Sequence, residues 1–500
     1  MTRIHTLLAF ATAGAFLLSP ALQADDLPAR PEALTFKPLA FKAPQARDFR
    51  RTLADGTAIY MAPSKEFPLV TINLSFRGGA FMDPTEIPGL TSAMASLMRS
   101  GGTTAIKPAD LDEQLDFLAT NISVGSGGEM VSASMNTLKS NLDESMKLFF
   151  DIVRNPGFDQ SRLEVMHGQA VEGMKQRNDD GANILRREWS ALLYGEDHFE
   201  SKQPTKESWD SISVERLRDQ HKRLIHPGNL IISVTGDFDP KEMVAKLESY
   251  LKDWPKGERV GNPPAPLATL TPGVYHVAKD IPQGKVRIGR RSITRDDPDY
   301  FPAMLMNDIL GGGGFTSRLM KSIRSNEGLA YGAGSNFGAG TYYPGVFGAA
   351  FESKNPTVAL AIQLMRDEFE RMQAAPVSDE ELEVAKKSFI ESFPQTFSSR
   401  DAMLGIFVSD EWTNRSPEYW QNYRDNIAKV TAAEIQRVAK KYLNMDDMVI
   451  LVVGKWDDIA KGDLTGRANM GKFFDGKRTE IPLKDPLTLK PAEAPTAGGQ

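Results

Sequence analysis

The sequence predicts an α+β fold of two homologous halves, each a largely antiparallel sheet covered by helices on one face. Three observations carry that expectation: an internal repeat, a strand-then-helix order in both halves, and proline-rich segments that punctuate the chain. The repeat is seen by laying Ser213 to Pro240 over Thr431 to Asp458. A constant offset of 218 pairs Leu217 with Ile435, Leu230 with Met448, Val234 with Val452, Gly236 with Gly454 and Phe238 with Trp456. Each copy is a helix with apolar residues three and four apart, then a β-branched strand, then a glycine and an acidic turn.

Taken in order, the chain opens on a targeting segment. Arg3 and His5 precede an apolar run from Leu7 to Leu18 that is too short to span a bilayer, and Ala24 offers a small residue for cleavage before Asp25 and Asp26. Residues 1–24 are therefore a signal peptide, and the mature chain is expected in a periplasm without a membrane anchor. The first half, 25–262, carries a strand at Leu69 to Arg77 and a helix at Leu142 to Arg154. Residues 263–275 lie in a proline-rich stretch that reads as a linker. The second half, 276–481, repeats the order with a strand at Lys285 to Ser292 and a helix at Val358 to Met372. A second proline-rich stretch, 482–500, reads as a surface tail.

Composition removes several function classes. The 500 residues hold 59 Lys and Arg against 65 Asp and Glu, a formal charge of −6 that becomes −7 once residues 1–24 are cleaved. That balance argues against a nucleic-acid partner. With no cysteine, disulfides, iron–sulfur clusters, thiolate zinc sites and a Cys nucleophile are excluded. Six histidines remain: His5, His167, His198, His221, His226 and His276.

Pro88 to Thr103 reads PGLTSAMASLMRSGGT. It resembles the zinc-binding helix of the pitrilysin/insulinase metallopeptidases, the inverted zincins, in which a Gly-Leu start leads into H-x-x-E-H and then Gly-Thr. The resemblance implies a pitrilysin-like fold over the whole mature chain, in agreement with the repeat. It also places the two His positions on Ser92 and Ser96 and the Glu position on Ala95. Two histidines at i and i+4 would aim both rings at one ion, with the glutamate activating bound water. Here the stripe of Ser92, Ala95 and Ser96 carries neither imidazole nor carboxylate, and serine is a poor zinc ligand. Glu172 falls where the family places a third ligand, and alone it is a relic. His167, His221 and His226 do not share a helix face, so no metal is expected in this chain.

A second motif is kept. Leu310 to Phe337 reads LGGGGFTSRLMKSIRSNEGLAYGAGSNF, a Gly-rich turn, a Ser-Arg-Leu helix and then Arg-x6-Tyr. The family carries a similar segment in its second half. On that resemblance Arg324 and Tyr331 are the residues that donate hydrogen bonds to a peptide carbonyl and its developing oxyanion. The residues alone also allow an Arg at a helix end and a Tyr packed in a sheet. Gly311, Gly312, Gly313 and Gly314 lack the spacing of a phosphate-binding loop. They are expected to allow a tight turn and close approach of a peptide.

An erased metal helix beside a kept Arg/Tyr pair resembles the non-catalytic subunit of two-subunit members of the family. The resemblance implies an exported half of a heterodimeric zinc peptidase, with zinc held by a homologous partner and peptides or unfolded proteins as substrate. A catalytically inactive peptide-binding or scaffold protein of the same fold, as in respiratory complexes, is the alternative. A serine hydrolase using Ser92 or Ser96 is excluded, because neither serine sits in a G-x-S-x-G turn.

Overall fold

Alternating apolar residues build the first sheet. Val70, Ile72, Leu74 and Phe76 all project to the same side of one strand, and all are fully buried. A computed structural model describes residue 30, residues 40–463 and residues 465–492. The signal-peptide expectation and the last eight residues of the tail lie outside them. The first sheet contains β1 (Arg50–Thr52), β2 (Ala58–Pro63), β3 (Leu69–Arg77), β4 (Asn121–Ser126), β5 (Met130–Leu138) and β6 (Leu230–Gly236). The second contains β7 (Gly273–Ala278), β8 (Gln283–Arg291), β9 (Ala330–Gly338), β10 (Val346–Lys354), β11 (Val449–Gly454) and β12 (Arg478–Glu480).

The strand orders are β1-β2-β6-β3-β5-β4 and β12-β7-β11-β8-β10-β9. Strands β2 and β6 are parallel, as are their counterparts β7 and β11, and β12 adds a further parallel edge. All other neighbours are antiparallel. The repeat read from the sequence is thus a repeat of topology, with β6 and β11 in corresponding central positions. Gly236 has φ of +110° and lies so close to β3 that a Cβ would sit 2.0 Å from the Leu69 carbonyl oxygen. Only glycine fits there.

Each half packs its own helices on one face of its sheet. In the first, Leu97, Met98, Met146, Phe149 and Leu217 join the β3 residues in one core. In the second, Ile362, Met365, Phe369, Ile435 and Val438 close over Val286, Ile288 and Phe347. The opposite faces are closed by an exchange. The Gly181–Tyr194 helix of the first half lays Ile184, Trp189 and Leu193 on Val277, Val449, Leu451 and Val453 of the second sheet. In return, the Arg400–Thr413 helix of the second half lays Met403, Leu404, Phe407, Val408 and Trp412 on Ala58, Tyr60, Ala62 and Ile231 of the first. Glu411 clamps that contact by accepting from Tyr60 at 2.6 Å and from Arg50 at 2.8 and 2.9 Å.

One boundary differs from the sequence reading. The last residues of the 263–275 stretch belong to β7, since strand pairing with β11 begins at Gly273. The tail is anchored as far as it is described. The Leu487 carbonyl accepts from Lys206, the Lys484 carbonyl accepts from Asn178, and the Lys484 side chain pairs with Glu188 and Glu196. Leu487 packs on the first-half core, so residues 482–492 tie the end of the chain back to the first half. No helix among the described residues is long and apolar enough to cross a membrane.

Candidate functional site

The Leu90–Ser100 helix starts at Gly89, whose φ of +98° breaks the preceding chain. Asp83 accepts from the Gly89 and Thr91 backbone N–H groups and fixes the helix start. Ser92 and Ser96 are exposed on one face, but Ala95 is fully buried. The sequence reading put all three on one open stripe. In a helix of 3.6 residues per turn, position 95 lies about 100° from position 96, and the small methyl turns inward to the core. Glu172 is exposed and pairs with Lys175 at 2.6 Å. The histidines are committed separately: His167 to Asp210, buried His221 to the Val153 carbonyl, and His276 to Glu480 and the Gly454 carbonyl.

Ser92 lines a cavity of about 440 Å³ that also meets Ser126, Gly127, His198 and Phe199. Gly127 borders a second cavity of about 480 Å³ between the halves, walled by Arg77, Glu129, Glu200, Tyr342 and Trp412. The Arg77 guanidinium donates to the carbonyls of Gly261 and Trp412, to Asn262 and to Tyr342. Burial pushes the Glu129 carboxyl above its ordinary range, and the like charge of Glu200 adds to it. The sequence reading did not single out Glu129, because the cleft that surrounds it is formed from both halves.

Arg324 and Tyr331 are brought together on the open surface of the second half. The chain turns through Gly314–Thr316, runs as a widened helix with π-type hydrogen bonding over Met320–Asn326, and enters β9 at Ala330. The Arg324 guanidinium carbon lies 4.9 Å from the centre of the Tyr331 ring and 4.7 Å from that of Phe315. Tyr331 is 89% exposed and Phe315 70% exposed, so Tyr331 is not a sheet-packing residue. Neither Arg324 nor Tyr331 lines the two cavities near Ser92. Strand β9 is the edge of its sheet.

The four glycines divide by role. A Cβ on Gly311 would lie 2.4 Å from the Ser335 nitrogen, so the close approach it permits is that of the chain's own β9. Gly312 and Gly313 are crowded by Asn307 and Asp308, whereas Gly314 has open space and φ of +63°. The helix that follows is anchored by Arg318, which donates twice to Glu381 at 2.8 Å. That guanidinium holds the Glu381 carboxyl down at about 2. Phe315 was missed by the sequence reading. An aromatic inside a glycine turn, outside any apolar periodicity, is the signal that marks it.

Two family models cover well over half of the chain: one described as insulinase (peptidase family M16) matches residues 60–202, and one described as the peptidase M16 inactive domain matches residues 211–389. The chain belongs to the M16 peptidase family. A non-peptidase homolog from Helicobacter pylori is 24% identical over 394 residues, covering 77% of this chain and 89% of that protein. An uncharacterized zinc protease of Streptomyces coelicolor is 20% identical over 401 residues, covering 79% and 87%. The crystal structure of a peptidase M16 inactive domain from Pseudomonas fluorescens superposes with a TM-score of 0.73 at 23% identity, covering 81% of this chain and 98% of that one.

Within the M16 fold the metal helix of this chain does not fit zinc. Two serine hydroxyls, a buried alanine and an ion-paired glutamate form no donor set, and no three His, Asp or Glu side chains converge among the described residues. The Leu90–Ser100 helix thus offers neither the imidazoles that hold zinc nor the carboxylate that activates a zinc-bound water. After extensive dialysis the isolated mature protein is expected to retain well under one zinc per chain by elemental analysis. Near-stoichiometric zinc that disappears in Glu172→Gln would show that the helix still binds metal.

Proposed function

We propose that this M16 protein is the exported, non-metal-binding subunit of a two-chain zinc peptidase, contributing Arg324 and Tyr331 in trans to cleavage of peptides or unfolded proteins. The observation that supports it most is the exposure of Tyr331, with the half-buried Arg324 against its ring, beside an open sheet edge. A buried pair would serve the fold, whereas one at the surface serves whatever reaches it. The Tyr331 hydroxyl and the Arg324 N–H groups are donors suited to a peptide carbonyl and to the negative charge that develops on it. An extended peptide can add along β9, taking main-chain hydrogen bonds from the edge. The metal would come from a homologous exported chain with an intact H-x-x-E-H helix. In this reading residues 1–24 direct the chain to the periplasm and are removed there.

A second reading is a scaffold or peptide-binding protein without chemistry, which the name of the Helicobacter pylori relative, a non-peptidase homolog, favours. Recovery of a tagged mature chain from its native periplasm, followed by mass spectrometry, separates the two. The expected product is a one-to-one complex with a homologue bearing H-x-x-E-H, with an interface above about 1,000 Å². If the chain and such a homologue elute separately at micromolar concentrations, the two-chain reading is lost and the scaffold stands.

A further inference from the structure

We infer that Phe315 is a third member of the Arg324/Tyr331 site and that the three side chains form a receptor for a peptide carboxylate. The inference rests on the reading of this surface as a peptide site. The first observation is that Arg324 is uncommitted. Carboxylates beside its helix are taken: Glu381 by two bonds from Arg318, Glu327 by two bonds from Arg467 at 2.7 and 2.9 Å, and Glu368 by Arg371. The Arg324 guanidinium makes no hydrogen bond or ion pair among the described residues, and its contacts are with the π faces of two rings.

The second observation is the exposure of Phe315. A phenylalanine on an open turn loses apolar burial for no gain in packing, yet the turn is built to hold it there. The Ser317 hydroxyl donates to the Gly314 carbonyl at 2.7 Å, and the Thr316 hydroxyl donates to the Gly313 carbonyl at 3.0 Å. With Tyr331 it restrains a long, flexible side chain, so less rotamer freedom is lost when a ligand binds. The free N–H groups of a guanidinium form a planar fork that matches a carboxylate. Phe315 is a positioning residue in this scheme, acting through Arg324.

Arginine-selective ¹⁵N NMR of the mature chain tests it, with the Arg324 Nε–H signal assigned by its absence in Arg324→Lys. Three probes are titrated: acetyl-trialanine with a free C-terminus, acetyl-Ala-Glu-Ala-amide, and acetyl-trialanine-amide. At least one carboxylate peptide is expected to shift the Arg324 signal and to bind at least about tenfold more tightly than the peptide without a carboxylate. Whether the first or second probe binds better tells a chain terminus from an acidic side chain. Phe315→Leu, which keeps apolar bulk but removes the ring, should move the Arg324 signal and weaken binding about 2–5-fold. Phe315→Tyr should restore both. Equal binding of the amide overturns the carboxylate assignment, and an unmoved Arg324 signal with unchanged affinity in Phe315→Leu overturns the role of Phe315. These readouts need no partner chain: carboxylate binding that depends on Phe315 upholds the inference even where no two-chain peptidase assembles.

Discussion

Tyr331→Phe is expected to lower turnover of a quenched fluorescent peptide by the reconstituted two-chain complex about 10²–10³-fold, roughly 3–4 kcal/mol in the barrier. The substitution removes one hydroxyl. Tyr331 is 89% exposed, and no hydrogen bond of that hydroxyl is seen among the described residues, so the fold loses nothing with it. Assembly by gel filtration, partner zinc content and thermal midpoint should therefore match the wild type. Arg324→Ala should also slow turnover and weaken substrate binding, because a guanidinium can hold the ground-state peptide as well as the developing charge. If both donate to one oxyanion, the double variant costs less than the sum of the singles. A Tyr331→Phe complex that assembles and cleaves at the wild-type rate removes chemistry from the pair and leaves a scaffold.

The second large effect is expected in the core contact between the halves. Phe407→Ala should destabilise the protein by about 3–5 kcal/mol, because the ring is 2% exposed and its loss opens a void that close-packed neighbours fill only in part. Phe407 belongs to the second half but packs on β2 of the first, with Tyr60 at 6.0 Å between ring centres. Its loss should weaken the coupling between halves and not merely one half. Combined with Trp189→Ala, the counterpart contact on the second sheet, it should split a single unfolding transition into two. Calorimetry reads this directly. A double variant that still melts in one transition, within a degree or two of the wild type, would mean that the exchanged helices do not couple the halves.

Much of this architecture was legible in local pattern. The β3 strand and the Leu142–Arg154 helix fall on the residues that periodicity marks, since both bury one apolar face at the spacing of their secondary structure. The repeat was legible because both copies keep the same central strand. The helix exchange was not, since an amphipathic stretch such as Gly181–Tyr194 records that it needs an apolar surface but not which one. Ala95 was misplaced for a related reason: one methyl is compatible with either side of a helix, and packing decides. In the candidate site Arg324 and Tyr331 came from the resemblance of the Leu310 to Phe337 segment to the family's second-half motif. Phe315 needed the fold, because its ring meets Arg324 only after the glycine turn and the widened helix have been formed. The anchored residues 482–492 were hidden too, since a proline-rich stretch shows no periodicity even where its backbone is hydrogen-bonded.

The exchanged helices also set a schedule for synthesis. The last strand of the first sheet ends at Gly236, yet the helix that covers its outer face ends at Thr413, roughly 180 residues later. At translation rates of about 5–20 residues per second, that face waits on the order of 10–35 s for its cover. During the interval Ala58, Tyr60, Ala62 and Ile231 form an apolar strip that any other sticky chain can occupy. The first half thus keeps this strip open until the second half arrives, and it completes itself only with a helix it does not encode.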